Sequence, residues 1–172
     1  SSAASDVYKR QSLIARIIAS SRAADKPVVV DPKGSDYRIY RGASTLTPNR
    51  RELAEATRMA VRNEEEIVSA ARQIITHCKI NSVLVTRGGA GMTLVDSENA
   101  LHLAAEAREV FDVSGAGDTV VAVVAGALAA GLDTGAAAGV ANVAAGIVVA
   151  KAGTAVASAE EIVETLRADE LK

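Results

Sequence analysis

Residues 111–132 have the sequence FDVSGAGDTVVAVVAGALAAGL. Three small residues, Gly115, Ala116 and Gly117, stand directly before Asp118, and a long apolar run follows. The pattern predicts a buried helix from about 115 to 130, whose first-turn amides have no partner within the helix. Because the helix dipole places partial positive charge at that turn, the sequence predicts an anion site beside a carboxylate.

Two interpretations of Asp118 stay open at this point. As a catalytic base, it would accept the proton of a substrate hydroxyl as that hydroxyl attacks phosphorus. As an ordinary first-turn acid, it would stabilise the helix dipole by about 0.3–1 kcal/mol. Two competing nucleotide motifs are excluded, because Val120 stands where a dinucleotide fingerprint needs its third glycine and because no Gly-Lys-Ser/Thr follows a glycine loop.

Helices and strands alternate on both sides of this stretch. Apolar periodicity, caps and turn residues predict helices at 12–25, 48–59, 63–78, 134–151 and 159–168, strands at 28–30, 45–47 and 82–86, a hairpin of 92–95 with 100–103, and a short strand at Val110. This order predicts an α/β fold with a mostly parallel sheet flanked by helices. Ligands of such sheets bind beyond the carboxyl ends of the strands, where Thr47, Thr86 and Asp112 are expected.

Composition excludes several classes of function. The 172 residues fit one domain, and the net charge of -2 offers no electrostatic attraction to nucleic acid or to a membrane surface. Aromatic residues make up 2% of the chain, too few for base-stacking platforms. A single cysteine, Cys78, excludes an internal disulfide and a thiolate zinc site, so a cytoplasmic protein is expected. Asp133 and Asn142 interrupt the apolar stretch 120–150 and argue against a membrane span.

The first eleven residues, SSAASDVYKRQ, have little periodicity and do not begin with Met. We expect residues 1–11 to be a junction or assembly scar outside the fold, and residues 12–172 to form the folded part. The chain is accordingly expected to be a fragment of something longer.

Three motifs in order resemble those of the ribokinase-like (PfkB) carbohydrate kinases. DVSGAGDT at 112–119 resembles their carboxyl-terminal signature, TPNRREL at 47–53 their Asn-x-x-Glu segment, and VTRGGAGM at 85–92 their Thr-x-Gly-x-x-Gly nucleotide loop. The segments 28–49 and 141–155 further resemble the kinase domain of the bacterial D-glycero-β-D-manno-heptose-7-phosphate kinases. The resemblance covers residues 12 to about 168 and only the carboxyl-terminal half of that domain, which implies an incomplete ribokinase-like fold without the amino-terminal half and the lid.

The resemblance assigns roles to particular residues. Asp118 would be the catalytic base, and the anion hole would consist of Gly115, Ala116 and Gly117. Mg²⁺-triphosphate would lie near Asn49 and Glu52, with Glu52 acting through metal-bound water. The nucleotide would also contact Lys33 and the phosphate and ribose loop of Thr86, Arg87, Gly88 and Gly91, and its adenine would lie on Asn142, Ala145 and Gly146. A monovalent cation, K⁺, would bind at Asp112 and the backbone near Ser114 and Gly153.

Plainer interpretations of the same residues stay open. Asn49 would be a helix cap, Glu52 a solvated first-turn acid and Lys33 a solvated surface lysine. The glycines of 88–91 would form a hairpin turn, and the small residues of 142–146 would allow close helix packing.

The activity implied by the resemblance is ATP-dependent and Mg²⁺-dependent phosphorylation of the anomeric hydroxyl of D-glycero-β-D-manno-heptose 7-phosphate. The product, the 1,7-bisphosphate, feeds ADP-heptose synthesis for the lipopolysaccharide core. The full-length parent would be a homo-oligomer, and the chain alone an inactive or weakly active fragment. Another PfkB-family sugar kinase and a non-catalytic nucleotide-binding fragment are the alternatives.

Overall fold

The computed structural model describes residues 2–106, 113, 115–151, 153 and 155–170. Its helices and strands follow one another along the chain in this order: α1 (Ser2–Ala23), β1 (Val29–Val30), β2 (Thr45–Leu46), α2 (Arg50–Thr57), α3 (Glu64–Cys78), β3 (Ser82–Thr86), β4 (Met92–Val95), β5 (Ala100–Leu103), α4 (Ala116–Ala129), α5 (Thr134–Val149) and α6 (Ala159–Glu170). Short 3₁₀ helices occupy Tyr37–Tyr40 and Gly88–Ala90.

The five strands form one mixed sheet in the order β1-β2-β3-β4-β5. The first three run parallel, with Val30 beside Leu46 and Leu46 beside Val83. The last three run antiparallel, and β4 and β5 form the predicted hairpin, with Met92 beside Leu103. The strand predicted at Val110 lies outside the described residues.

Helices cover both faces of the sheet, because side chains alternate along each strand. Val83 and Val85 of β3 belong to a core cluster with α1, α2 and α3 on one face. Leu84 points to the other face and packs in a second cluster with residues of α4 and α5. The described part is therefore an α/β layer structure whose two apolar clusters are separated by the sheet.

The apolar stretch 120–150 forms two helices, as predicted. Helix α4 ends at Ala129, and α5 begins at Thr134, where the Asp133 side chain accepts a hydrogen bond from the Ala136 amide at 2.9 Å. The two helices pack on each other and on the sheet through alanine and valine side chains. No helix in the described ranges combines the length and the apolarity needed to cross a bilayer.

The structure differs from the prediction at the amino terminus. Helix α1 begins at Ser2, ten residues before the predicted start, so residues 2–11 are helical and continuous with the predicted helix. Apolar residues at helical spacing indicate a helix that packs one face against a core. Ala, Lys, Arg and Gln also favour a helix by their intrinsic propensity, without producing such an apolar stripe. Residues 2–11 are thus helical, and their origin as a junction or scar outside the fold stays a prediction.

The segment 33–42 lies between the strands predicted at 28–30 and 45–47, where no helix or strand is predicted. Tyr37 and Tyr40 form a 3₁₀ turn there and are buried, with their rings 6.1 Å apart. The Tyr40 hydroxyl donates to the Lys33 carbonyl and accepts from the Lys33 amide, at 3.2 and 3.0 Å. Two tyrosines three residues apart share one face of a 3₁₀ helix, so this loop is anchored to the core.

We expect Asp133→Ala to lower the free energy of unfolding by about 0.5–2 kcal/mol, because it removes the cap of α5. Thermal unfolding followed by circular dichroism measures the change. Asp133→Asn is the matched control, since asparagine caps a helix about as well as aspartate. Equal losses from both substitutions would show that the carboxylate charge, not the cap, is responsible.

Candidate active site

A cavity of about 390 Å³ opens beyond the carboxyl ends of β2 and β3. Its walls come from the loops that follow these two strands, from the first turn of α4 and from one face of α5. The lining residues are Asn49, Thr86, Gly88, Gly89, Gly91, Met92, Ala105, Glu106, Val113, Ala116, Gly117, Val120, Asn142, Ala145, Gly146 and Val149. The cavity is thus more apolar toward α5 and richer in backbone groups toward the loops.

The loops after residues 47 and 86, expected beyond the carboxyl ends of their strands, both border this cavity together with the first turn of α4. The first two loops are joined directly, because Asn49 and Thr86 form a parallel bridge and the Thr86 amide donates to the Pro48 carbonyl at 3.0 Å. Nine of the predicted site residues line the cavity: Asn49, Thr86, Gly88, Gly91, Ala116, Gly117, Asn142, Ala145 and Gly146.

Within the part of the chain that the structure describes, no side chain caps the backbone donors in the first turn of α4. Gly115 is the cap residue, with φ of 81°. By contrast, α2, α3 and α5 begin with side-chain caps. The helix begins with the bond from the Thr119 amide to the Gly115 carbonyl, so among the described residues the amides of Gly117 and Asp118 have no acceptor within the helix. A cavity wall made of such amides is suited to an anion.

Glycine at position 117 keeps that wall open. A Cβ built at Gly117 would meet no atom within 4 Å, and this residue lines the cavity. Space beside the backbone amide is therefore available to a ligand atom.

Asp118 lies in the same turn and is exposed rather than part of the cavity wall. It belongs to a group of charged residues with Asp31, Lys33 and Glu52. The Lys33 ammonium lies 2.6 Å from Asp31 and 3.8 Å from Glu52. The hydrogen bond to Asp31 raises the pKa of Lys33, and the negative charges of Asp31, Glu52 and Asp118 raise this pKa further. The Asp118 carboxylate therefore lies close enough to influence the loop after β1.

Asn49 and Glu52 form a reciprocal capping box at the start of α2. The Asn49 side chain accepts from the Glu52 amide at 2.9 Å, and Glu52 Oε2 accepts from the Asn49 amide at 2.8 Å. The plainer interpretation of Asn49 as a cap is thus correct. Glu52 Oε1 is left facing Lys33, with the side chain 26% exposed.

The carboxylates of Asp31 and Glu52 are the donor set that fits Mg²⁺. This ion keeps several waters and is usually held by one or two carboxylates together with substrate phosphates. Within the described ranges there is no group of three or more His, Cys, Asp or Glu side chains that could hold a metal alone. The arrangement accordingly suits a metal that arrives with a phosphate ligand.

The side chain of Arg87 does not line the cavity, and its predicted place beside the nucleotide phosphates stays a prediction. It is 9% exposed, and Nη1 donates to Glu64 Oε1 at 2.6 Å. Nη2 donates to the carbonyls of Met92 and Leu103, both at 3.3 Å. Glu64, distant in sequence, holds the guanidinium, so the side chain contacts α3 and the β4–β5 hairpin rather than the cavity.

Asn142 is buried on α5, and its Nδ2 donates to the Ala104 carbonyl at 2.7 Å. The bond ties α5 to the chain just after β5, so this residue shapes the cavity wall that it lines. Sequence reasoning missed several lining residues, among them Met92, Val120 and Val149. Helical spacing could have found two of them, since Val120 lies four residues after Ala116 and Val149 lies seven after Asn142.

Some predicted site residues cannot be placed at the cavity. Asp112 and Ser114, predicted for a monovalent cation, lie outside the described residues. Gly153 is described and has a φ of 75°. Lys33, Glu52, Gly115 and Asp118 lie beside the cavity rather than in its wall.

Comparison with known sequences identifies relatives over most of the chain. A family profile described as pfkB family carbohydrate kinase matches residues 4–161. The bifunctional protein HldE of Paramagnetospirillum magneticum is 56% identical over 156 residues, which are 90% of this chain and 32% of that protein. HldE of Rhodospirillum rubrum is 52% identical over 158 residues, 91% of this chain and again 32% of that protein. The chain therefore spans about a third of the length of these curated relatives.

Solved structures share the fold. A structure of Arabidopsis thaliana ribokinase complexed with ribose and ATP superimposes with a TM-score of 0.79 at 26% identity, over 91% of this chain and 53% of that one. Phosphofructokinase-2 of Escherichia coli in complex with potassium gives the same TM-score at 20% identity, over 92% and 52%. The described fold corresponds to about half of each of these chains.

Proposed function

The chain belongs to the pfkB family of carbohydrate kinases, and on that premise we propose that its cavity binds ATP for phosphoryl transfer to a sugar phosphate. The acceptor we propose is the anomeric hydroxyl of D-glycero-β-D-manno-heptose 7-phosphate, with the 1,7-bisphosphate and ADP as products. This acceptor rests on the similarity to HldE, whose length is three times the matched region. Cytoplasmic location and a place in lipopolysaccharide core synthesis belong to the same proposal.

One observation carries the proposal. The amides at the start of α4 have no side-chain cap within the described residues, and they face a cavity bounded by the loops after β2 and β3. Phosphate groups bind at such helix ends, because backbone donors and the positive end of the dipole act together. The apolar wall on α5, with Ala145 and Val149, offers a surface for the flat adenine ring.

In this proposal the residues of the chain have two tasks, proton removal from the acceptor and stabilisation of charge on the phosphoryl group. Asp118 would accept the proton of the sugar hydroxyl as its oxygen forms a bond to the γ-phosphorus. The bond from that phosphorus to the bridging oxygen breaks, and ADP leaves with the electron pair. The amides of Gly117 and Asp118 would stabilise the negative charge on the phosphoryl oxygens, the main requirement of this reaction class.

Asp31 and Glu52 would hold Mg²⁺, Glu52 through a water ligand. When bound, the metal supplies positive charge that neutralises the phosphates. Lys33 pairs with both carboxylates in the present structure, so its ammonium already balances part of their charge.

Calorimetry and a turnover assay test the proposal. We expect the 172 residues to bind an ATP analogue with Mg²⁺ and to release no ADP with heptose 7-phosphate. The longest natural polypeptide that contains this chain should release ADP with that sugar and not with ribose or fructose 6-phosphate. Turnover with another sugar would reassign the substrate within the family, and absence of nucleotide binding would refute the proposal.

Gly117→Val should weaken binding of the ATP analogue about tenfold or more, because a side chain would occupy the space from which a phosphate reaches the amides. Gly126→Ala is the control. Gly126 lies on α4 away from the cavity, and an added Cβ there also meets no atom within 4 Å. Unfolding temperatures should stay near that of the unmodified chain for both variants. Equal affinity of the two variants for the analogue would place the phosphates elsewhere.

A further inference from the structure

The ion pair between the buried Arg87 side chain and the half-exposed Glu64 carboxylate lies at the base of the loop that forms one wall of the cavity. We infer that Arg87 is a positioning residue, which holds the Gly88–Gly91 loop in the shape that accepts nucleotide while touching no phosphate itself. The inference rests on the proposed function for the identity of the ligand. The ion pair and its contacts do not depend on that function.

The loop is closed at its base by the residue that carries this guanidinium. The Arg87 amide donates to the Gly91 carbonyl at 2.8 Å, and the Gly91 amide donates to the Gly88 carbonyl at 2.9 Å. Gly88, Gly89 and Gly91 line the cavity, and glycine provides no side chain that could pack the loop in place. The shape of this loop must therefore come from contacts made at its ends.

The guanidinium makes such contacts in three directions. Nη2 bonds the carbonyls of Met92 and Leu103, which are paired residues of β4 and β5 at the end of the hairpin beside the loop. Nη1 bonds Glu64, the first residue of α3. One rigid planar group thus fastens the loop to the β4–β5 hairpin and to the start of α3.

The burial of Arg87 makes its partner essential. With 9% of the side chain exposed, the guanidinium has lost most of its hydration, and among the described residues its Nε has no hydrogen-bond partner. Loss of Glu64 would leave a charge buried without compensation, and the guanidinium would move toward water. Glu64 itself is 50% exposed, so water replaces the arginine around it at little cost. Arginine is therefore the member of the pair whose position is fixed by the interaction.

A set of variants separates positioning from direct phosphate contact. Arg87→Met, Arg87→Lys, Glu64→Gln and the double variant Arg87→Met/Glu64→Gln are compared with Glu65→Gln, an exposed acid of the same first turn. Calorimetry gives dissociation constants for an ATP analogue, ADP and adenosine. Arg87→Met should weaken all three by a similar factor of about ten, and Glu64→Gln by about three. The double variant should match Arg87→Met, and Glu65→Gln should match the unmodified chain.

Direct contact with phosphate predicts a different pattern. Arg87→Met would then weaken the ATP analogue far more than adenosine, and Glu64→Gln would have no effect or would strengthen binding. Either result overturns the inference. Arg87→Lys and Glu64→Gln keep the test meaningful if Arg87→Met does not fold.

Amide hydrogen exchange without nucleotide tests the loop independently of the proposed function. Exchange at Gly88–Met92 should be about tenfold faster in Arg87→Met and faster in Glu64→Gln, with no change in Glu65→Gln. Unchanged exchange refutes the positioning role. Faster exchange in a chain that binds no nucleotide would support the positioning role and refute only the proposed function.

Discussion

Asp118→Asn is expected to lower ADP release about 10²–10⁴-fold while leaving nucleotide affinity unchanged, because asparagine cannot accept the proton of the sugar hydroxyl. The residue lies in the first turn of α4, beside amides proposed to hold the transferred phosphoryl group. It is exposed, and its negative charge contributes to raising the pKa of Lys33. Steady-state assays on the longest natural polypeptide that contains this chain measure the rate of ADP release.

The matched control for this prediction is Asp133→Asn, an exposed acid at the start of the next helix. The two substitutions remove the same charge near a helix amino terminus, but only one removes it from the proposed phosphoryl site. Calorimetry with an ATP analogue should give both variants the affinity of the unmodified chain. A loss of turnover below about tenfold for Asp118→Asn would leave the carboxylate as a helix-stabilising acid only.

Secondary structure was predictable wherever one local pattern decided it. Strand β3 and the β4–β5 hairpin have the predicted limits, because the apolar runs and the Asp96–Asn99 turn between β4 and β5 mark where each strand begins and ends. Asp96 accepts from the Glu98 and Asn99 amides, which lowers its pKa and fixes the turn. The start of α1 was missed because helix-forming residues without an apolar stripe leave no periodic signal.

The site was predictable in its location and less so in the direction of single side chains. Small residues at the start of α4 and polar residues after β2 and β3 must meet in a sheet of this kind, and they do. Arg87 follows β3 directly, so its neighbours suggested a phosphate contact. Its direction was set by Glu64, 23 residues earlier in the chain, and no local pattern reports such a pairing.

A sequence pattern also does not show when one residue both caps a helix and lines a cavity. Asn49 caps α2 and lines the cavity, and Glu52 completes the capping box while its second oxygen faces Lys33. The cap and the ligand were treated as alternatives, although a residue at a helix end on the edge of a cavity is free to fill both roles, and the ligand role stays a prediction. The spacing Asn-x-x-Glu is required by the box itself, so the motif alone cannot separate the roles.

Gly91→Ala is expected to lower the free energy of unfolding by about 3–5 kcal/mol, from backbone strain at a conformation that only glycine adopts readily and from overpacking together. Gly91 has a φ of 88°, and a Cβ there would overlap the Leu103 carbonyl oxygen and lie 2.7 Å from the Ala104 carbonyl carbon. Both atoms belong to backbone, so no side-chain rotation relieves the overlap. For a chain of this size the unfolding temperature should fall by about 6–20 °C.

Gly88→Ala separates the two causes, because Gly88 lies in the same loop with a φ of 62° and a Cβ there would meet nothing within 4 Å. It should lose only the strain contribution, about 1–2 kcal/mol. Since Leu103 O also accepts from Arg87, displacement of this carbonyl in Gly91→Ala should loosen the guanidinium and weaken nucleotide binding even where the variant remains folded. Equal stability losses in the two variants would mean that backbone strain alone, and not contact with β5, requires glycine at position 91.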